Sequence, residues 1–239
     1  MESVSISRKG GRSENEDAVW SGGNETRSCF LAADGLGGHG GGRAAALLAV
    51  KAAEDIVASE EPGEALIRNF FARTQKYIHR AQEENCSPMK MRTTAVFLVV
   101  EAERMQWGHA GDSRLYLFYH NRIRERTYDH SVPQALCQAH QIKEKEIRKH
   151  PDRNKLTAVL GGKEQIPYYV LSEAYPVKKA QAVLLCTDGF WEYVEEREMC
   201  GTLRKSRSPR EWVEAMEKLV LERGGEAEMD NYSAIAVWL

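Results

Sequence analysis

Five aspartates stand where a predicted strand or tight turn ends. They are Asp17 in RSENEDA (12–18), Asp34 in ADGLGGHG (33–40), Asp112 in GDSR (111–114), Asp188 in TDG (187–189) and Asp230 before Asn231. A carboxylate that directly follows a buried apolar run is costly unless it is paired or holds a cation. Hard cations such as Mg²⁺ and Mn²⁺ prefer carboxylate, carbonyl and water oxygens, and two of them sharing a carboxylate suit in-line displacement at phosphorus. Together the aspartates predict a two-metal centre.

The alternative for each aspartate is a simple turn, because Asp-Gly pairs are common in turns. That interpretation is favoured for any single aspartate and disfavoured for the whole set together with Arg12. A planar guanidinium can hold two phosphate oxygens at once, which suits Arg12 to binding a phosphoryl group.

A glycine-rich segment offers a competing interpretation. Residues 35–40 match the G-x-G-x-x-G pattern of dinucleotide-binding folds, and Glu54 and Asp55 follow about 20 residues later. In such folds, however, the acidic residue ends a second strand, whereas here it lies in an Ala/Leu-rich helical run. Asp34 would also repel a pyrophosphate. The sequence therefore argues against dinucleotide binding, and a dinucleotide-binding oxidoreductase is kept only as the alternative function.

These residues must be positioned by elements whose patterns can be recognised. Helices are predicted over 43–60, over 66–81 from an apolar stripe, over 131–150 from its polar helix-forming composition, and over 209–224 after a capping-box pattern at Ser208. Apolar or alternating runs predict strands over 28–33, 94–100, 104–110, 114–119, 180–186 and 232–239. Strands in runs and helices in pairs favour an α+β fold with antiparallel sheets.

Composition excludes several classes of protein. The 239 residues carry 33 Lys and Arg against 35 Asp and Glu, which argues against nucleic-acid binding through a broad basic surface and against a polybasic membrane anchor. The longest apolar runs, 44–50 and 95–100, are too short to span a bilayer, and no signal peptide is recognisable. The five cysteines form no C-x-x-C pair, so we expect reduced thiols, no zinc site and a cytoplasmic location. No linker or repeat divides the chain, which predicts one domain over 1–239.

The ordered set of motifs resembles the metal-dependent serine/threonine protein phosphatases, the PPM or type 2C family, in their compact bacterial form. The motifs are RSENEDA (12–18), ADGLGGHG (33–40), HAGDSRLY (109–116), DHS (129–131), CTDGF (186–190) and DN (230–231). Each is weak alone, but their joint order is specific. The resemblance implies an αββα sandwich of two antiparallel sheets flanked by helices.

The resemblance also implies roles for the acidic residues. Asp34 would bridge two Mn²⁺ or Mg²⁺ ions, with the Gly35 carbonyl on the second ion and Asp188 and Asp230 on the first. Asp17 would hold metal-bound waters, and Asp112 with Asp188 would form a third metal site. Glu16 matches a position that is acidic in many eukaryotic members and often an amide in bacterial ones, so its direct ligation stays open.

The implied activity is hydrolysis of phosphoserine and phosphothreonine by metal-activated water, with Arg12 binding the phosphate. The proton for the leaving alkoxide would come from His39 or from metal-bound water. Segment 127–162 resembles the family's mobile flap, and its polar composition predicts few restraining contacts. Phosphorylated proteins, and a Ser/Thr kinase acting on the same substrates, are the implied partners; a non-catalytic metal-binding relative is a further alternative.

Overall fold

The computed structural model describes residues 1–37, 40–58, 63–84, 91–225 and 229–239. Its strands are β1 Glu2–Arg8, β2 Asp17–Asn24, β3 Arg27–Leu36, β4 Arg92–Thr93, β5 Ala95–Glu101, β6 Arg104–Ala110, β7 Arg114–Tyr119, β8 Arg122–Arg126, β9 Val170–Leu171, β10 Tyr175–Pro176, β11 Ala182–Cys186 and β12 Tyr232–Trp238. Its helices are α1 Gly41–Val57, α2 Gly63–Glu84, α3 Val132–Gln138, α4 Glu144–Ile147, α5 Asp188–Trp191, α6 Glu196–Lys205 and α7 Pro209–Gly224, with a 3-10 turn at Val177–Lys179.

The strands form two sheets. One has the order β1-β12-β11-β7-β8; the other has the order β10-β6-β5-β3-β2, with β4 beside β3 and β9 beside β6. Every pairing between these strands is antiparallel. The dinucleotide alternative is therefore wrong: α1 runs unbroken from the glycine-rich segment past Asp55, and β3 lies antiparallel to both neighbours rather than entering a parallel βαβ unit.

Side-chain alternation along the central strands creates three apolar layers. In β3, Leu31 packs toward α1 and α2, whereas Phe30 and Ala32 face the opposite sheet. In β11, Leu184 packs toward α6 and α7, whereas Leu185 faces between the sheets. The result is helix–sheet–sheet–helix layering, which confirms the predicted αββα sandwich. Among the described residues, no helix is both long enough and apolar enough to cross a bilayer.

Helices α1 and α2 agree closely with the prediction, and α7 begins as the capping-box pattern indicated. Ser208 Oγ accepts a hydrogen bond from the Glu211 N–H (3.2 Å), while the Glu211 carboxylate accepts from the Arg207 N–H (2.8 Å) rather than from Ser208. The single helix predicted over 131–150 is instead two short helices, α3 and α4. The chain leaves the helical path at His140, whose φ of 57° is left-handed.

Segment 127–162, which we call the flap, contains α3 and α4. The expectation of few restraining contacts is wrong at its base, where Asp129 and Ile147 are buried. Asp129 forms two hydrogen bonds of 2.7 Å with Arg114 of β7. The flap is polar in composition, but its Asp129 forms a buried ion pair with Arg114, which lies outside the segment.

Candidate functional site

A cavity of about 620 Å³ at one end of the sandwich collects most of the predicted site residues. It is lined by Arg12, Glu16, Asp34, Gly35, Asp112, Asp188 and Asp230, together with residues of the N-terminal loop, the glycine-rich loop and the flap. Asp17 lies behind this wall as the cross-strand partner of Asp34 in the β2–β3 pair. His39 lies outside the described residues. The predicted acids therefore converge, although they come from five separate stretches of chain.

Asp34 is fixed through its backbone, because β3 continues into a tight contact with residues 93–94. Its N–H donates to Thr94 Oγ1 (2.9 Å), and its carbonyl accepts from the Thr94 N–H (2.8 Å) and from Thr93 Oγ1 (2.9 Å). Burial, and then the neighbouring carboxylates of Asp188 and Asp17, raise the pKa of Asp34 well above its ordinary value. The backbone N–H and carbonyl of Asp34 are hydrogen-bonded, whereas ionisation of its side chain is unfavourable.

The glycine after Asp34 is required by close backbone packing. A Cβ at Gly35 would lie 2.6 Å from the Glu16 carbonyl oxygen and would also collide with the backbone of Gly42 in the first turn of α1. The Gly35 N–H donates to that same Glu16 carbonyl (3.2 Å). At Gly189, a Cβ would collide with the Asn231 carbonyl oxygen. These two glycines let the loops carrying Asp34, Asp188 and Asp230 approach one another.

Asp188 begins α5 directly after β11. Burial raises its pKa to about 6, although Arg153 opposes this shift. Arg153 comes from the flap, and its Nη2 lies 3.6 Å from Asp188 Oδ2. Arg153 also pairs with Glu192. The flap thus places the guanidinium of Arg153 beside Asp188, one of the acids that line the cavity.

Asp17 is held from the opposite sheet. Thr187 Oγ1 donates to Asp17 Oδ2 (2.8 Å), whereas Asp17 Oδ1 is buried and has no hydrogen-bond partner among the described residues. Burial is the main cause that raises the pKa of Asp17 to about 7. An unsatisfied buried carboxylate oxygen is unfavourable, and it fits a site built for water or a cation beside it.

Asp112 is buried between β6 and β7. Burial, and then Asp188, raise its pKa well above the ordinary value. Its carbonyl accepts a hydrogen bond from Trp191 Nε1 (2.9 Å), and the Arg114 guanidinium lies 3.5 Å from the centre of the Trp191 ring. This contact ties Asp112 to α5, the helix that Asp188 begins.

Arg12 and Asp230 meet at the mouth of the cavity. Arg12 Nη2 donates to Asp230 Oδ2 (2.8 Å), and the other oxygen, Oδ1, accepts from the Asn231 N–H (2.8 Å). The Asn231 amide donates to the carbonyls of Lys9 (2.8 Å) and Glu14 (2.9 Å) and accepts from the Glu16 N–H (2.8 Å). Asn231 therefore holds the loop that carries Arg12.

Sequence reasoning did not assign roles to Arg153, Thr187 and Asn231. Each acts through a partner far away in the chain, so no local pattern identifies it. Asn231 was visible only as part of the Asp230-Asn231 motif. Cys186, in contrast, is a packed core residue as predicted: it is fully buried in β11, and burial raises the pKa of its thiol.

The donor set suits hard divalent cations. The cavity gathers carboxylates and Gly35 with one arginine, and burial, together with the neighbouring carboxylates, raises the pKa values of Asp34 and Asp188. Among the described residues, no three His, Cys, Asp or Glu side chains are already close enough to form a complete metal cluster. The acids line the cavity, and a hard cation held by one or two carboxylates can complete its coordination with water.

Comparison with known proteins identifies the family. The family model described as protein phosphatase 2C matches residues 7–231. The chain is 29% identical over 236 residues to the serine/threonine phosphatase stp of Listeria welshimeri, covering 95% of this chain and 88% of that protein.

Solved structures agree with this comparison. The crystal structure of the serine/threonine phosphatase Stp1 from Staphylococcus aureus superposes with a TM-score of 0.89 at 26% identity, covering 100% of this chain and 94% of that one. The catalytic domain of the phosphatase PstP, in complex with two manganese ions, shares the fold with a TM-score of 0.81 at 24% identity, covering 98% and 96% of the two chains. The chain belongs to the protein phosphatase 2C family and is a serine/threonine phosphoprotein phosphatase.

Proposed function

We propose that this phosphatase hydrolyses phosphoserine and phosphothreonine at a centre of two Mn²⁺ or Mg²⁺ ions in the cavity that contains Asp34. The observation that carries the proposal is the group of buried carboxylates with raised pKa values, Asp17, Asp34, Asp112 and Asp188, beside an exposed Arg12. The protein phosphatase PstP, which has the same fold, binds two manganese ions. When bound, such ions supply a hydroxide near neutral pH for attack on phosphorus.

Each residue has a defined role in this proposal. Asp34, the Gly35 carbonyl, Asp188 and Asp230 would hold the two ions. Asp17 would accept hydrogen bonds from water in the site, and Asp112 with Asp188 would hold a third ion. Glu16 lines the cavity, but its backbone already binds Gly35 and Asn231, so we assign it a structural role first.

Arg12 binds the substrate phosphate. In the described structure it is held by Asp230 alone among the acids of the cavity. A cation on Asp230 would weaken this contact and leave the guanidinium available for two phosphate oxygens. The leaving alkoxide takes its proton from His39 or from solvent held in the site.

The chain forms one catalytic domain over 1–239 in this proposal, with 127–162 as the flap. Its substrates are phosphorylated proteins supplied by a Ser/Thr kinase. A non-catalytic metal-binding relative is the second candidate, and the complete set of acids in the cavity argues against it.

The test is hydrolysis of p-nitrophenyl phosphate with Mn²⁺, with EDTA, and by the Asp34→Ala and Asp188→Asn variants. EDTA would remove the ions and each substitution would remove a carboxylate ligand, so we expect each to lower kcat/KM more than about 10²-fold. Asp55→Asn, at an exposed carboxylate on α1, is the matched control and should retain wild-type activity. Turnover that persists in EDTA, or in both variants, would refute the proposal.

A further inference from the structure

A second cavity, of about 760 Å³, opens at the side of the sandwich. It lies between β8, at the edge of one sheet, and β6 and β9, at the edge of the other, and the base of the flap forms its third wall. We call it the edge groove. None of the predicted metal ligands lines it.

The edge groove exposes apolar side chains. Tyr128 (58% exposed), Tyr168 (64%) and Val170 (41%) line it, and Ile166 (83%) precedes Tyr168 by two positions. These four are a majority of the large hydrophobic residues that are exposed in the described part of the chain. A contiguous exposed apolar patch marks an interaction site, and aromatic residues dominate binding energy at such sites.

The floor of the edge groove is built from aromatic rings in mutual contact. The rings of His109 and His130 stack at 4.7 Å between centroids, and Tyr168 meets His130 edge-on at 5.2 Å. His109 Nε2 bonds the Tyr128 carbonyl (2.8 Å). Burial lowers the pKa of His130 to about 4, so this floor is uncharged near neutral pH. A preformed apolar surface loses little conformational entropy when a ligand binds.

The charges of the edge groove are unbalanced. Asp129 is neutralised by Arg114 (2.7 Å), and Arg126 by Glu144 (2.8 Å). The remaining acids, Glu125 and Glu173, form no ion pair within the described residues. An apolar floor with two unpaired carboxylates complements an apolar side chain that stands beside a cation.

A thin wall separates the edge groove from the catalytic cavity. Asn154 and Leu156 line the catalytic cavity, whereas the next residues, Thr157 and Ala158, line the edge groove. This wall is fixed to the groove floor by the hydrogen bond from the Thr157 N–H to the His130 carbonyl (2.8 Å). Since extended chain advances about 3.3 Å per residue, a short peptide can reach both cavities.

We propose that the edge groove docks a segment of the phosphoprotein substrate in which an aromatic or branched apolar residue stands beside Lys or Arg. The apolar side chain packs on Tyr168 and Val170, and the cation pairs with Glu125 or Glu173. This inference rests on the proposed phosphatase function and assigns that site a selectivity for substrate sequence outside the phosphoresidue.

The test uses phosphothreonine peptides that carry one Phe-Arg pair at successive distances on either side of the phosphothreonine. The reference peptide has Gly-Gly in place of the pair. We expect kcat/KM to rise about tenfold, through KM, at a particular spacing, which corresponds to about 1.4 kcal/mol. A kcat/KM that is the same within about twofold at every spacing would overturn the proposal.

Substitutions test whether the gain in kcat/KM arises from the edge groove. Tyr168→Ala and the double variant Glu125→Gln/Glu173→Gln should abolish the gain while leaving hydrolysis of p-nitrophenyl phosphate unchanged. Leu221→Ala and Glu222→Gln, at exposed positions of α7, are matched controls that should retain the gain. A gain that survives the edge-groove variants would overturn the proposal, as would edge-groove variants that alter only the self-association of the protein. Failure of the phosphatase function itself would appear separately, as absent Mn²⁺-dependent turnover of p-nitrophenyl phosphate by the unmodified chain.

Discussion

Arg12 combines exposure with a specific charged contact. Its side chain is 58% exposed, yet Nη2 lies 2.8 Å from Asp230. A surface ion pair of this kind adds little to stability. Its position at the mouth of an acidic cavity therefore points to binding rather than to folding.

We expect Arg12→Ala to lower kcat/KM for a phosphate monoester by roughly 10²-fold, because a charged donor to the phosphoryl oxygens is lost. Arg12→Lys should recover only part of this loss, since an ammonium cannot bind two oxygens in a fork. Steady-state kinetics with p-nitrophenyl phosphate and Mn²⁺ measure both.

Arg8→Ala is the matched control for Arg12. Arg8 is similarly exposed, at 52%, and pairs with Glu217 away from the cavity. Wild-type kinetics are expected for it. If Arg8→Ala and Arg12→Ala reduced activity equally, the role assigned to Arg12 would be wrong.

At the scale of single residues, the sequence predicts a site residue where a side chain of suitable chemistry stands at a recognisable position, such as the end of a strand. Asp34 lies near the end of β3, and Asp112 and Asp188 come within two residues after β6 and β11, so their convergence at one end of a sandwich could be anticipated. Arg153 and Asn231 could not be anticipated, because their significance depends on tertiary contacts with Asp188 and with the 9–16 loop. A local pattern carries no information about such partners.

At the scale of elements, the flap is joined to the sandwich by the buried pair between Asp129 and Arg114. Both side chains are almost wholly buried, and Arg114 also contacts Tyr116 (2.9 Å) and the Trp191 ring. Removing one partner of a buried pair leaves the other charge uncompensated in a medium of low polarity.

We expect Asp129→Asn to lower the free energy of unfolding by about 3–5 kcal/mol, as measured by urea denaturation. Glu64→Gln, which removes the exposed ion pair with Arg68 on α2, is the control and should not change the midpoint detectably. Equal midpoints for the two variants would show that the flap is not anchored by Asp129.

The elements themselves were predictable where their pattern is clear. The apolar stripe of α2 corresponds to its buried face, and the apolar runs of β5 and β7 are buried on both faces of their sheets. β1, β2 and β8 were missed because they lie at sheet edges and keep few buried side chains; in β1 only Ile6 is buried. Such strands are held mainly by backbone hydrogen bonds to a neighbouring strand, and the composition of the segment does not reveal these bonds.

At the scale of the whole molecule, the crowded acids make stability depend on pH and on metal. The unfolded Asp17 ionises near pH 3.8, whereas burial raises its pKa to about 7 in the folded protein. Between these values the folded state binds more protons, so this group's contribution to stability falls as pH rises. His130, whose pKa is lowered to about 4, acts in the opposite direction.

The Asp17→Asn variant isolates the effect of the acid. In EDTA we expect wild type and variant to have similar stability near pH 4, and the variant to become more stable by on the order of 2–4 kcal/mol near pH 7.5. Thermal and urea unfolding across this range measure the difference. Saturating Mn²⁺ should stabilise wild type more than the variant, because Asp17 then faces a compensating charge. A pH-independent difference between the two proteins in EDTA would contradict this assignment.

The position of β12 governs when this enzyme can become active during synthesis. β12 lies second from the edge of its sheet, between β1 and β11, and Asp230 lies two residues before its first residue. Within the described residues β1 therefore has no partner in this sheet until β12 has left the exit tunnel. Until then the cavity lacks both Asp230 and the Asn231 amide that holds the Arg12 loop. A nascent chain that still lacks β12 therefore has an incomplete cavity and is not expected to dephosphorylate its substrates.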